Sequence, residues 1–77
     1  MQKVKVFSTP TCPYCHMAKD YLKDKKVTFE DIDVSKDQNQ AQAMVERSGE
    51  MGVPQLWIGD QLVIGFNKPV INMLLGI

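Results

Sequence analysis

Thr11-Cys12-Pro13-Tyr14-Cys15-His16 contains both cysteines of the chain, separated by two residues. This stretch follows a segment in which charged and β-branched residues alternate before Phe7, which predicts a strand. It leads into an amphipathic run over about 13–25, which predicts a helix. A pair of thiols at a strand-to-helix junction of a short α/β chain is typical of a redox site in which the two sulfurs form and break a disulfide.

The start of a helix is a favourable place for a sulfur anion. Several backbone N–H groups there have no partner within the helix, and the helix dipole adds roughly half a positive charge. We therefore expect Cys12 to react as a thiolate nucleophile. Pro13 suits the first helical position because its missing N–H would have no partner there. We expect Cys15, one turn later, to be more buried and to attack a mixed disulfide on Cys12.

Composition limits the class of protein. The 77 residues are 44% hydrophobic and 23% charged, which predicts one globular domain over 1–77. Lys+Arg and Asp+Glu both total 9 without a basic stripe, so we expect no nucleic-acid partner, and we expect a monomer. No leader pattern and no long apolar run occur, so we expect a cytoplasmic protein without membrane contact. In a reducing compartment, paired cysteines are typically catalytic or metal-binding.

Hydrophobic periodicity predicts the element order βαβαββα. Apolar residues on both faces of the second strand indicate a strand covered by helices, joined to the first by a right-handed crossover. Gly59-Asp60 predicts a two-residue hairpin between two antiparallel strands. The strands are predicted over about 3–8, 27–34, 55–58 and 61–64, and the helices over about 13–25, 36–48 and 68–75.

Capping residues predict the ends of the second and third helices. Ser35 with Gln38 three positions later matches a capping box, and Gly49 would end that helix. Asn67 would cap the last helix, and Gly76 would end it.

The chain resembles the dithiol glutaredoxins and glutaredoxin-like redoxins over essentially its whole length. The resemblance rests on Cys12-Pro13-Tyr14-Cys15 after a short strand, Val53-Pro54 before the third strand, and the Gly65 turn before the last helix. It implies a thioredoxin fold, with a four-stranded mixed sheet and helices on both faces. It also implies a thiol-disulfide oxidoreductase, in which Cys12 is the nucleophile and Cys15 the resolving residue.

The resemblance further implies a substrate site around the cysteines. Pro54 would be a cis-proline that leaves the backbone N–H and C=O of Val53 free to pair with an extended peptide or glutathione. Phe66 suits either the core or a docking surface, whereas Trp57 suits the core. Lys19 lies one turn beyond Cys15, where its charge would favour a thiolate, but it is interpreted as a solvated side chain. The substrate-binding residues implied by the resemblance are Pro13, Tyr14, Val53, Pro54, Gly65 and Phe66.

Three departures from the glutathione-using members bear on the reductant. Those members usually have a Lys, a Thr, and a Gly-Gly with an acidic pair where this chain has Thr9, Gly52 and Gly65-Phe66-Asn67-Lys68. No carboxylate remains for the ammonium group of glutathione. Gly65-Phe66 followed by Pro69 is more similar to redoxins that reduce ribonucleotide reductase and are recycled by thioredoxin reductase. We expect protein disulfides as substrates, no permanently bound cofactor, and thioredoxin reductase or glutathione as external reductant.

Other readings of the cysteine motif remain open at this point. A glutathione-dependent glutaredoxin acting on glutathione mixed disulfides is the enzymatic alternative. A metal-binding or iron–sulfur-binding module is the non-enzymatic one, although two cysteines and one histidine are too few for a four-ligand zinc site. Cys12 and Cys15 followed by His16 also match a c-type haem attachment motif, which the strand before them disfavours.

Overall fold

A computed structural model describes residues 3–77 and contains one four-stranded sheet with three helices. The predicted element order is confirmed. No helix in this part of the chain has the length and apolar character to cross a membrane. The elements are β1 (Val4–Ser8), α1 (Pro13–Asp24), β2 (Glu30–Asp33), α2 (Gln38–Ser48), β3 (Gln55–Ile58), β4 (Gln61–Ile64) and α3 (Lys68–Leu75).

The sheet has the strand order β2-β1-β3-β4 and mixes both directions of pairing. β1 pairs in parallel with β2, and α1 provides the crossover between them. β3 is antiparallel to β1 and to β4, so the mixed sheet and the hairpin at Gly59-Asp60 are confirmed. β1 therefore lies inside the sheet, and its carboxyl end leads directly into the loop of residues 9–12, which ends at Cys12.

Helices cover both faces of the sheet because the strands alternate apolar residues between them. One core cluster joins the strands to α1 and α3, and the other joins them to α2. The first cluster contains Val4, Val6, Ala18, Leu22, Leu56, Ile58, Val63 and Ile71, and the second contains Phe7, Ile32 and Met44.

β2 is shorter at its start than the predicted 27–34. The N–H of Val27 donates to the carbonyl of Leu22 at 2.9 Å, and Lys26 before it has a φ of 60°. The left-handed turn at Lys26 and the hydrogen bond from Val27 end α1, so the backbone at Val27 belongs to the helix end and not to the sheet. Val27 and Phe29 still pack against the first core cluster, as the apolar pattern indicated.

The predicted capping box at Ser35 is wrong. The carboxylate of Asp37 caps α2 by accepting from the N–H of Gln40 at 3.1 Å. Ser35 instead donates to Asp33 Oδ1 twice, from its N–H at 2.9 Å and its hydroxyl at 2.5 Å. A carboxylate two residues before a serine forms this local turn, which competes with capping and delays the helix start.

The other predicted helix ends are confirmed. Asn67 caps α3 by accepting from the N–H of Val70 at 3.4 Å. Gly49 and Gly76 end α2 and α3 with φ angles of 75° and 71°. Glycine adopts this left-handed conformation without the steric cost that a Cβ atom brings.

Candidate active site

Cys12 is the N-cap residue of α1, with φ of −93° and ψ of 111°. Its sulfur accepts a hydrogen bond from the backbone N–H of Cys15 at 3.3 Å. Pro13 occupies the first turn, as the sequence predicted. The sulfur of Cys12 therefore contacts a helix N–H group that has no acceptor within the helix, and this arrangement stabilises an anion.

The start of β3 lies beside Cys12. Because β3 runs antiparallel to β1 with Phe7 opposite Gln55, the residues preceding β3 adjoin the residues following β1. The Val53–Pro54 peptide bond is cis, which confirms the interpretation of Pro54. The sulfur of Cys12 lies 3.7 Å from the carbonyl oxygen of Val53.

The carbonyl of Val53 is thus not free, contrary to expectation, because the Cys12 thiol donates to it. Its N–H donates no hydrogen bond to any residue within 3–77. The carbonyl of Pro54 accepts from the N–H of Gly65 at 2.8 Å, and Gly65 has a φ of 83°. This bond joins the end of β4 to residues 50–54, the segment before β3 that is here called the proline loop.

Cys15 differs sharply from Cys12 in exposure. Its side chain is fully buried, whereas that of Cys12 is partly exposed, as predicted. The pKa of Cys15 is raised to about 11, chiefly by burial and then by the hydrogen bond with Cys12, while the backbone of Thr9 and the charge of Lys19 act in the opposite direction. Cys15 consequently keeps its proton at neutral pH.

Lys19 is not the solvated side chain expected from sequence. Its side chain is only 15% exposed, and its Nζ lies 3.2 Å from Asp31 Oδ2. Asp31 Oδ1 also accepts from the hydroxyl of the buried Ser8 at 3.0 Å. Only one feature of the sequence indicates that Lys19 lies near the cysteines. Lys19 follows Cys15 by four residues, which puts both on one face of α1.

The proline loop is held by a residue that sequence reasoning missed. The buried amide of Gln55 donates to the carbonyls of Glu50 and Gly52, both at 2.9 Å. These two bonds fix the segment that presents Val53 to Cys12. The sequence feature that could have indicated this role is a glutamine at the start of an otherwise apolar strand.

The aromatic residues of the predicted substrate surface separate into two groups. Tyr14, in the first turn of α1, is 61% exposed beside Cys12. Phe66 packs against the core and meets Tyr21 edge-on at 5.7 Å, which favours its structural interpretation. Trp57 packs against Phe7 at a ring distance of 4.4 Å, so its expected core role is confirmed.

The donor atoms around the cysteines do not form a metal site in residues 3–77. No group of three or more His, Cys, Asp or Glu side chains there has a metal-binding arrangement. Nε2 of His16 lies 2.8 Å from the carbonyl oxygen of Pro10. His16 therefore contacts the turn before Cys12 and is exposed, as expected.

Comparison with known proteins gives a consistent result. The family model described as Glutaredoxin matches residues 4–63. An uncharacterized glutaredoxin-like 8.6 kDa protein in a rubredoxin operon of Clostridium pasteurianum is 40% identical over 72 residues, covering 94% of this chain and 96% of the relative. Glutaredoxin 3 of Escherichia coli K12 is 37% identical over 65 residues, covering 84% and 78%.

A solved structure extends the likeness to the fold. NrdH-redoxin from Escherichia coli, described as a glutaredoxin-like protein with a thioredoxin-like activity profile, superposes with a TM-score of 0.84 at 26% identity. The match covers 94% of this chain and 93% of NrdH-redoxin.

Proposed function

The chain belongs to the glutaredoxin family of thiol redox proteins, and we propose that it reduces protein disulfides through a dithiol cycle of Cys12 and Cys15. The observation that supports the proposal is that Cys12 and Cys15, one helical turn apart, differ in their exposure and hydrogen bonding. Cys12 is accessible and its sulfur accepts the Cys15 N–H at 3.3 Å, whereas Cys15 is buried and protonated at neutral pH. Such a pair has one residue suited to attack and one suited to resolve.

In the first step, the Cys12 thiolate attacks one sulfur of a substrate disulfide. A new disulfide joins Cys12 to the substrate, the substrate S–S bond breaks, and the other substrate sulfur leaves as a thiolate that takes up a proton. Loss of the Cys12 proton also frees the Val53 carbonyl, which the thiol contacts at 3.7 Å. The carbonyl and N–H of Val53 are then available to pair with the backbone of an extended substrate.

In the second step, Cys15 loses its proton to solvent and its sulfur attacks the sulfur of Cys12. The Cys12–substrate bond breaks, and the second substrate sulfur leaves as a thiolate and is protonated. The substrate disulfide has gained two electrons, and the two cysteines of this chain have lost two. The proposed substrate surface consists of Pro13, Tyr14, Val53, Pro54 and Gly65, with Tyr14 supplying its most exposed apolar contact.

We propose thioredoxin reductase as the enzyme that returns two electrons to the Cys12–Cys15 disulfide. Residues 65–68 contain no carboxylate for the ammonium group of glutathione, and the nearby cation of Lys68 lies 5.7 Å from the ring of Phe66. The redox activity needs no permanently bound cofactor. Glutathione is the second candidate, supported by the similarity to Escherichia coli glutaredoxin 3 and by the accessible backbone of Val53.

A trapping experiment tests the cycle. Cys15→Ser should accumulate a mixed disulfide on Cys12 when a disulfide-bearing protein is added, and mass spectrometry would detect it. Cys12→Ser, the matched control, should form none. Parent-level turnover by Cys15→Ser would overturn the resolving role.

A coupled assay tests the reductant. NADPH consumption should be supported by thioredoxin reductase and only weakly by glutathione with glutathione reductase. The reverse ranking would replace the first candidate with the second and leave the cycle itself in place.

A further inference from the structure

Ser8, Lys19 and Asp31 form a polar cluster beneath α1, here called the Lys19 cluster. The Asp31 carboxylate joins the other two, accepting from the Ser8 hydroxyl at 3.0 Å and from the Lys19 ammonium at 3.2 Å. Ser8 is 2% exposed and the Lys19 side chain is 15% exposed. The Lys19 side chain is partly buried and its ammonium is paired with Asp31, so the cluster restricts the position of this charge.

The Lys19 cluster adjoins the resolving cysteine. Cys15 and Lys19 are one helical turn apart on the same face of α1. Ser8 ends β1, and the backbone of the next residue, Thr9, bonds to the Cys15 sulfur. The ammonium group is therefore held on the side of α1 where the Cys15 thiol is buried.

The charges around Cys15 act in opposite directions. Among the described residues, Cys12 disfavours its thiolate and Lys19 favours it. From β2, Asp31 and Asp33 face Lys19 and offset part of its charge. Because the Asp31 side chain is 49% exposed and that of Lys19 only 15%, solvent screens the carboxylate more strongly than the ammonium.

We propose that Lys19, held in place by Asp31 and Ser8, is a positioning residue that promotes ionisation of Cys15 in the resolving step. This inference rests on the proposed dithiol function. The proton of Cys15 goes to solvent. The Cys15 sulfur then forms its bond to Cys12 while the Cys12–substrate bond breaks, so Lys19 lowers the cost of a buried anion without covalent participation.

A titration tests the electrostatic part without any substrate. In a Cys12→Ser background, the ultraviolet absorbance of the thiolate follows Cys15 once the titration of a Cys12→Ser/Cys15→Ser double variant, which retains both tyrosines, is subtracted. Lys19→Gln should raise the titration midpoint by roughly half to one pH unit, which corresponds to about three- to tenfold less thiolate at a given pH. Lys19→Arg should restore most of the shift. Lys23→Gln, which removes an exposed cation from the same helix, is the matched control and should not shift the midpoint.

A single-turnover experiment tests the kinetic part in the two-cysteine protein. A chromogenic thiol is first attached to Cys12 as a mixed disulfide, and its release by Cys15 is then followed. Lys19→Gln should slow release roughly three- to tenfold near neutral pH, and the deficit should shrink as the pH approaches the Cys15 midpoint. A general loosening of α1 would instead change the rate equally at every pH.

The two experiments separate this inference from the proposed function. If Lys19→Gln moves neither the midpoint nor the release rate relative to Lys23→Gln, or if Lys19→Arg is as impaired as Lys19→Gln, the role of Lys19 is overturned. If the parent protein fails to reduce protein disulfides, the proposed function is wrong. The titration would still show whether Lys19 promotes ionisation of Cys15.

Discussion

The side chain of Cys15 is fully buried, whereas Cys12, three residues earlier, is partly exposed at the helix start. Burial disfavours the charged form of a thiol because a protein interior solvates an anion poorly. The pKa of Cys15 is accordingly raised to about 11. The Cys15 thiol should therefore be both inaccessible and protonated at neutral pH.

Alkylation should distinguish the two thiols in the reduced protein. With a pKa of about 11, the thiolate fraction of Cys15 at pH 7 is on the order of one in ten thousand. Iodoacetamide should modify Cys12 alone near neutral pH, as seen by mass spectrometry of digested protein. In Cys12→Ser, which lacks the part of the Cys15 pKa shift that Cys12 causes, labelling of Cys15 should still be slow at neutral pH and should rise about tenfold per pH unit below the Cys15 pKa. Equal labelling of both cysteines at neutral pH would contradict this assignment.

Tyr14 is exposed in the reduced protein, so its contribution should appear only when a large substrate docks. The Tyr14 side chain is 61% exposed in the first turn of α1. Tyr14→Ser should lower kcat/KM for a protein disulfide roughly three- to tenfold, the usual loss for an aromatic contact at an interface. Activity on a small-molecule disulfide should change little.

The control for Tyr14 is Met73→Ser. Met73 is 72% exposed on α3, so this change removes a comparable apolar side chain. It should leave both activities unchanged. A parallel loss on protein and small substrates in Tyr14→Ser would indicate altered cysteine chemistry and not docking.

At the scale of the elements, the start of α2 shows how side chains set boundaries. Asp37 caps the helix, while Ser35 is engaged with Asp33 in the preceding turn. Asp37→Ala should lower the free energy of unfolding by about 1 kcal/mol, since an N-cap carboxylate satisfies a helix N–H. Ser35→Ala should cost less than half as much. Urea denaturation of both variants measures the difference, and a larger loss for Ser35→Ala would restore the serine as the cap.

Sequence periodicity predicted all seven elements, and its errors lie at element ends. The apolar spacing of Val27 and Phe29 was read correctly as core packing, yet the bond from Val27 to Leu22 excludes that residue from the ladder. Periodicity reports which face a residue presents and does not report where its backbone hydrogen bonds go. Periodicity also does not show which side chain caps a helix when several compete, as Ser35 and Asp37 do at the start of α2.

The active site was predictable only in part, for a related reason. Cys12 and Cys15 are separated by only two residues, and the Val53-Pro54 pair is a recognisable motif, so their positions followed from the chain itself. The bonds that Lys19 and Gln55 make were not predictable. Lys19 depends on Asp31, twelve residues away, and Gln55 bonds to loop carbonyls that no periodic pattern marks.

At the scale of the whole molecule, strand direction brings the site together. β1 lies between a parallel and an antiparallel neighbour, so its carboxyl end meets the amino end of β3. This arrangement places Val53 against Cys12 across 41 positions of sequence. Cys15 is fully buried in the same fold, so the chemistry of this thiol is linked to the folding of the chain.

That linkage predicts a pH dependence of stability in the reduced protein. The pKa of Cys15 is raised from 9.0 to about 11 in the folded state, so between these values the unfolded chain releases a proton that the folded chain retains. The free energy of unfolding should therefore be unaffected by this group below pH 9 and should fall as the pH rises from 9 towards 11. The slope from one thiol cannot exceed about 1.4 kcal/mol per pH unit.

Urea unfolding of the reduced parent across this range, compared with Cys15→Ser, isolates the contribution of the buried thiol. The other ionisable groups are common to both proteins, so their contributions cancel in the difference. The difference between parent and variant should be constant below pH 9 and should shift against the parent above it. The oxidised parent, whose Cys15 sulfur has no proton to lose, should follow the slope of Cys15→Ser. An identical slope in the reduced parent and the variant would mean that the folded chain does not hold the Cys15 proton more tightly than the unfolded chain does.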